Sequence, residues 1–247
     1  MEKTTVQRAI ESNDVDFSFD STVYSIGNMF MMAANIDSST KGFGVESLLS
    51  HGLTWVTLRT YIKVNTFPHD RETVTVETWV EDCTRITTQR NCTFKDAAGN
   101  HLVDITTIFA LVDYETRRPV NILEKMPEFP EKFIIDEKST LRAPGKLKAI
   151  VNPQLVHTHT VVFSDLDCNM HTTSFRYVLW VLDAISLDEH KKKQISELEV
   201  NFVKECRYGE TVSVYREDIS ENQAVFEIKN EEGELLNRQC VTFIDRK

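Results

Sequence analysis

Hydrophobic and polar positions divide the chain into runs of two periods. Residues 17–25 alternate apolar and polar, which predicts a half-buried strand. Residues 28–36 (Asn-Met-Phe-Met-Met-Ala-Ala-Asn-Ile) are apolar and free of turn residues, which predicts a buried helix; 45–49, between Gly44 and Gly52, predicts a shorter one. Strand-like runs rich in Val, Ile, Thr and aromatic residues follow at 54–64, 72–82, 87–95 and 102–114, the last two separated by the turn Asp96-Ala97-Ala98-Gly99-Asn100. Beyond Arg117-Arg118 the texture changes. Five of the six prolines lie between Pro119 and Pro153, among charged residues and without a sustained period, which predicts a surface connector.

The second half repeats the first. A strand at 157–164 precedes a run at 175–185 that is apolar nearly all round, interrupted by Arg176 and Asp183, and this predicts a helix wrapped by its domain. Strands follow at 196–206, 210–218, 223–230 and 236–245. Glu72-Thr73-Val74-Thr75-Val76 matches Glu210-Thr211-Val212-Ser213-Val214, the Gly99 turn matches the Gly233 turn, and 109–113 matches 241–245. A strand, a helix and several antiparallel strands written twice predict an α+β double hot-dog, two tandem units each curled round its own helix. The expected division is 1–118, a connector over 119–153, and 154–247.

Candidate chemistry gathers at the repeat's second helix. Asp167, Asn169 and His171 alternate, so an extended segment would turn an acid, an amide and an imidazole to one side. Thr172 or Thr173 can cap the following helix, whose first N–H groups, near Thr172, Thr173 and Ser174, could hold a developing oxyanion. The bland alternative is a polar turn that only caps a helix. Glu205 tips the balance: it is a carboxylate beside Cys206 in a strand otherwise built for burial. Cys206 itself could act as a thiol nucleophile with His171 as base. Neighbours on a strand point to opposite faces, however, and general-base hydrolysis calls for a second carboxylate, which favours Glu205. In the first half, Met29, Met32 and Ala33 belong to an apolar stripe suited to lining an apolar tunnel, or to plain core packing.

A formal charge of −10 argues against nucleic acid or an anionic membrane surface as the main partner. No apolar run has the length of a membrane span. Five cysteines, odd in number and without CxxC pairing, suit a reducing cytoplasm, and the N-terminus lacks a signal-peptide core. A cytoplasmic protein is expected. His157 and His159 fit no familiar metal spacing, so neither a metal nor a cofactor is expected.

The stretch 164–171, followed by Tyr177 and Trp180, closely resembles the signature of acyl-acyl carrier protein (acyl-ACP) thioesterases. The resemblance extends to Glu205-Cys206, to Leu53-Thr54-Trp55-Val56, to residues 70–79 and to Thr116-Arg117-Arg118. It implies a double hot-dog fold and catalysis by Asp167, Asn169, His171 and Glu205. It also implies hydrolysis of a fatty acyl chain from the 4'-phosphopantetheine of acyl carrier protein. The chain departs from the plant members in having Thr173 and Ser174 where they have asparagines. It also lacks their targeting extension, as expected of a bacterial member. Because the carrier is acidic, docking would need a local basic patch, for which Arg117, Arg118, Lys146 and Lys148 are candidates, as are Lys191, Lys192 and Lys193. Two alternatives stay open: an acyl-CoA thioesterase of hot-dog type, and a non-catalytic acyl-binding hot-dog protein. Two fused units already imitate a dimer, and further pairing as a homodimer stays open as well.

Overall fold

The structure, a computed structural model, describes residues 2–246 and divides into two compact units, 1–144 and 145–247. The first contains β1 (Thr4–Ala9), α1 (Val23–Thr40), α2 (Val45–Ser50), β2 (Leu53–Val64), β3 (Thr73–Cys83), β4 (Thr87–Lys95), β5 (His101–Asp113), α3 (Ile122–Lys125) and α4 (Phe129–Phe133). Its strands pair antiparallel in the order β1-β3-β4-β5-β2. The second contains β6 (Gln154–Thr160), α5 (Arg176–Ala184), α6 (Leu187–Lys192), β7 (Lys193–Phe202), β8 (Thr211–Ser220), β9 (Gln223–Asn230) and β10 (Leu235–Asp245). Its antiparallel order is β6-β8-β9-β10-β7, the same topology strand for strand. Even the hairpin turns repeat. Gly99 N–H donates to Asp96 O and Asp96 N–H to Asn100 O, while Gly233 N–H donates to Asn230 O and Asn230 N–H to Glu234 O. Both glycines adopt the positive φ that such a turn needs.

Four expectations are corrected. Residues 17–22 form a turn rather than a strand, and 23–25 already belong to α1. The Thr22 hydroxyl accepts the Ser25 N–H and starts α1 at Val23, well before the predicted helix. The polar start carries β1, whose alternating exposure fits an edge strand ordered by backbone pairing to β3 rather than by a strong apolar signal. The connector is no surface strap over its first part. Ile122, Met126, Phe129 and Phe133 are buried against Phe43, Leu48, Leu53, Val80 and Leu111, completing the first unit's core. Phe129 and Phe133 stack at 4.5 Å. Finally, α5 is shorter than 175–185 and buries one face only, through Tyr177, Val178, Trp180 and Val181.

One buried charge cluster pins the end of α1. The Asp37 carboxylate, with no side-chain exposure, lies 2.7 Å from Arg90 Nη1 on β4 and 2.7 Å from Lys41 Nζ, and it accepts the Thr4 hydroxyl at 2.6 Å. Burial alone would raise this carboxyl. The Arg90 charge and the bonds from Lys41, Thr4 and Arg90 outweigh burial and hold it below its ordinary value.

Candidate active site

The segment ahead of α5 is a closed loop anchored at its base by Asp165. This nearly buried carboxylate accepts the Val162 N–H at 2.9 Å and His159 Nε2 at 2.8 Å, so the imidazole presents that nitrogen as a donor. The Asp165 carbonyl accepts the Thr173 N–H, and Leu166 bridges to Thr172, closing the neck. Within the loop, Asp167 N–H donates to His171 O and Met170 N–H to Asp167 O. Asp167 Oδ1 accepts the N–H of Asn169 at 2.8 Å and of His171 at 3.2 Å. The price of this tightness is Met170, a non-glycine residue at φ 62°. The triplet is therefore not extended: a turn, with Asp167 as its internal acceptor, sets the orientation of Asn169 and His171.

Glu205 enters from a separate segment. β7 ends at Phe202, so Glu205 and Cys206 lie beyond the strand predicted to contain them. Their side chains nevertheless point apart. Cys206 is fully buried, whereas Glu205 is 41% exposed with Oε2 3.9 Å from Nδ1 of His171, whose side chain is 15% exposed. Asn169 Oδ1 is buried and accepts no hydrogen bond among the described residues. Such an orphaned acceptor calls for a donor from a ligand or water. One carboxylate thus approaches the imidazole, while a second holds the backbone of the turn that carries this imidazole and an amide able to receive a hydrogen bond. Burial pushes the Cys206 thiol up, and Thr172 Oγ1 and Tyr177 Oη flank the sulfur at 3.2 and 3.1 Å. A neutral, enclosed thiol is a poor nucleophile.

The expected oxyanion donors need correction. Thr172 N–H donates to Cys206 O at 3.0 Å and Thr173 N–H to Asp165 O at 2.9 Å, so both amides are already engaged. Neither threonine caps α5, whose N-terminal flanking residue is Phe175, and Ser174 lies in the turn just before it. In the apolar stripe, Met29 and Ala33 face the first unit's core, whereas Met32 is 37% exposed and does not share that face. Arg118, Lys146 and Lys148 are exposed and Arg117 is half-buried. Lys191 and Lys192 close the last turn of α6, where cations suit the helix dipole. A cleft of about 290 Å³ beside Glu205 is lined by Glu210, Glu231, Glu232 and Glu234 together with Lys204, an acidic surface unsuited to an acidic partner.

Sequence reasoning missed that the first unit contains the same loop. Phe19, at φ 61°, stands where Met170 does. Asp16 N–H donates to Asp20 O, Phe19 N–H to Asp16 O, Ser18 N–H to Asp16 Oδ1, and Thr22 N–H to Asp14 O, each repeating a bond of the second loop. The signal was available in the spacing of Asp14-Val15-Asp16 before Ser21-Thr22, against Asp165-Leu166-Asp167 before Thr172-Thr173. The frame and its aspartate, Asp16, are shared. Ser18 and Asp20 replace the amide and the imidazole, and Phe67 stands at the position of Glu205.

Comparison with known proteins likewise divides the chain in two. The model of the acyl-ACP thioesterase N-terminal domain matches residues 2–129, and that of the C-terminal domain matches residues 149–245. The chain is 25% identical over 243 residues to oleoyl-acyl carrier protein thioesterase 2 of Arabidopsis thaliana, covering 91% of this chain and 65% of that one. It is 25% identical to a dodecanoyl-ACP hydrolase of Cinnamomum camphora, over 80% of this chain and 55% of that one. This chain therefore spans about half to two thirds of the length of these curated relatives. Among solved structures, an acyl-ACP thioesterase from Bacteroides thetaiotaomicron superimposes with TM-score 0.88 at 30% identity over 98% of both chains. The 12:0-ACP thioesterase from Umbellularia californica shares the fold, with TM-score 0.90 at 21% identity over 99% of this chain and 98% of that one. The fold is an α+β double hot-dog, and the chain belongs to the acyl-ACP thioesterase family.

Proposed function

We propose that this protein hydrolyses the thioester of fatty acyl-ACP, releasing free fatty acid and carrier protein and so ending chain elongation. The observation that carries the reading is the approach of Glu205 to His171 beside the unpaired Asn169 Oδ1. Asn169 accepts a hydrogen bond from the attacking water, and Glu205 takes the proton that the water loses as its oxygen bonds to the acyl carbon. Glu205 passes this proton to Nδ1 of His171; the carbon–sulfur bond breaks, and the imidazolium so formed gives up a proton to the departing pantetheine thiolate, which returns both residues to their starting charge. One water is consumed, with its hydroxyl ending on the acid and its proton replacing the acyl group on sulfur. Asp167 holds the turn that aims Asn169 and His171, and it adds negative charge where the imidazolium forms.

We assign the acyl chain to the core-facing stripe of α1 that carries Met29 and Ala33, and the acidic carrier to the exposed cations Arg118, Lys146 and Lys148. The five free cysteines suit a reducing compartment, consistent with a cytoplasmic enzyme. The test is a ladder of matched acyl-carrier and acyl-CoA substrates with direct analysis of the free acids. Faster release from the carrier series is expected. Equal or faster release from CoA would assign an acyl-CoA thioesterase, and no released acid would leave a non-catalytic acyl binder.

A further inference from the structure

Beyond the residues that meet the substrate, the phenol of Tyr177 has no role in the chemistry above and is buried against the segment that carries Glu205. Its oxygen accepts the Cys206 N–H at 3.0 Å, lies 3.1 Å from the Cys206 sulfur, and reaches the Lys204 carbonyl at 3.5 Å. The two backbone groups it touches therefore flank Glu205 on either side. Thr172 completes the grip, its hydroxyl and its N–H both donating to the Cys206 carbonyl at 3.0 Å. The segment needs such a hold because β7 has ended and the sheet no longer orders it. Burial, with Cys206 alongside, pushes the phenol far above its ordinary range, so it stays a neutral O–H at any working pH.

The first unit supplies an internal control. Its equivalent segment runs the same course: Ser21 N–H donates to Pro68 O as Thr172 N–H does to Cys206 O, and Asn65 and Thr66 donate to Leu102 O as Val203 and Lys204 do to Leu236 O. There Phe67 replaces Glu205, Pro68 replaces Cys206, and the fully buried Ile26 replaces Tyr177. Where there is no carboxylate to aim, the backbone donor and the phenol that receives it are both missing.

We infer that Tyr177 is a positioning residue: by clamping the backbone on both sides of Glu205, it holds that carboxylate at its station beside His171. The inference rests on the assignment of Glu205 to the thioesterase site. Displacing a reacting group by about 1 Å costs on the order of a hundredfold in rate. Tyr177→Phe, which keeps the ring packed against Trp180 (ring centroids 5.0 Å apart), is therefore expected to lower kcat by roughly tenfold to a hundredfold. KM for acyl-ACP should stay within about threefold, because the phenol does not touch substrate.

Two further measurements separate positioning from general damage. Hydrogen exchange at the Cys206 amide should quicken in Tyr177→Phe while the sheet amides keep their protection. Cys206→Pro, which mirrors Pro68 and deletes the shorter of the two backbone contacts, should by itself lower kcat and reduce the effect of Tyr177→Phe in the double variant to the part carried by the Lys204 carbonyl. A wild-type kcat in Tyr177→Phe, additive losses in the double variant, or unchanged exchange at Cys206 would overturn the inference. An inactive wild-type protein whose Cys206 amide still responds to Tyr177→Phe would instead overturn the activity and leave the clamp standing.

Discussion

Replacing Glu205 by Gln keeps the shape and removes the charge and the proton-accepting oxygen. Its carboxylate oxygen is 3.9 Å from His171 Nδ1. A unit charge at that distance from an imidazolium is worth about 4 kcal/mol at an effective dielectric of about 20 and about 1 kcal/mol in bulk water. Glu205 is 41% exposed, so the site lies between these limits. The charge alone then accounts for roughly fivefold to a thousandfold in rate, at about 1.4 kcal/mol per decade. Loss of the general base is worth a further factor, typically about a hundredfold or more. We expect kcat to fall by roughly five-hundredfold or more with KM within about threefold, because the loss falls on the transition state. The assay is release of thiol from acyl-ACP, followed with a thiol reagent and checked by direct analysis of the acid. Because Glu205 is exposed, its neutral isostere should unfold at the wild-type temperature, so lost activity cannot be blamed on lost structure. A Glu205→Gln protein within tenfold of wild-type kcat would refute the reasoning.

Three other expectations follow from the same geometry. Asp167→Asn keeps an acceptor oxygen for the Asn169 and His171 N–H groups and so should fold normally, yet turnover should fall by about a hundredfold or more through loss of its charge; turnover that survives in a folded protein would remove Asp167 from the scheme. Cys206→Ala should keep most activity, because the sulfur is buried away from Glu205 and the N–H that meets Tyr177 belongs to the backbone; a folded but dead variant would restore the thiol as a nucleophile. Asp37→Asn leaves Arg90 buried without its countercharge and should cost the first unit about 3 kcal/mol or more, roughly 6–12 °C in Tm. Since the folded state holds the Asp37 carboxyl below its unfolded value, this stability is present above about pH 4 and is lost as pH falls through the folded value. Denaturant titrations at neutral and strongly acid pH should therefore show the gap between wild type and variant closing in acid; a constant gap would contradict the ion-pair account.

By itself the sequence determined most of the strands, the duplication, and three neighbouring members of the candidate site. Strand runs have a period of two and their turns carry glycines at positive φ, both of which are local properties readable from residues such as those at 87–114. The position of Asp167, Asn169 and His171 in one loop is likewise local, although their mutual orientation is not. That orientation depends on a left-handed Met170 and on the N–H bonds collected by Asp167, and alternation in sequence predicted a strand instead. The same failure at 17–25 has the same cause, a tight turn whose side chains alternate as a strand's do. The tertiary structure alone decided that Ile122, Met126, Phe129 and Phe133 join a core, since a proline-rich run carries no period to announce its burial. It also decided that the amides of Thr172 and Thr173 are already engaged by the carbonyls of Cys206 and Asp165. Above all it brought Glu205 to His171 and Tyr177 to the backbone around Glu205. Such meetings depend on where one segment leaves a sheet and what another places beneath it, and no spacing along a single chain encodes that distance.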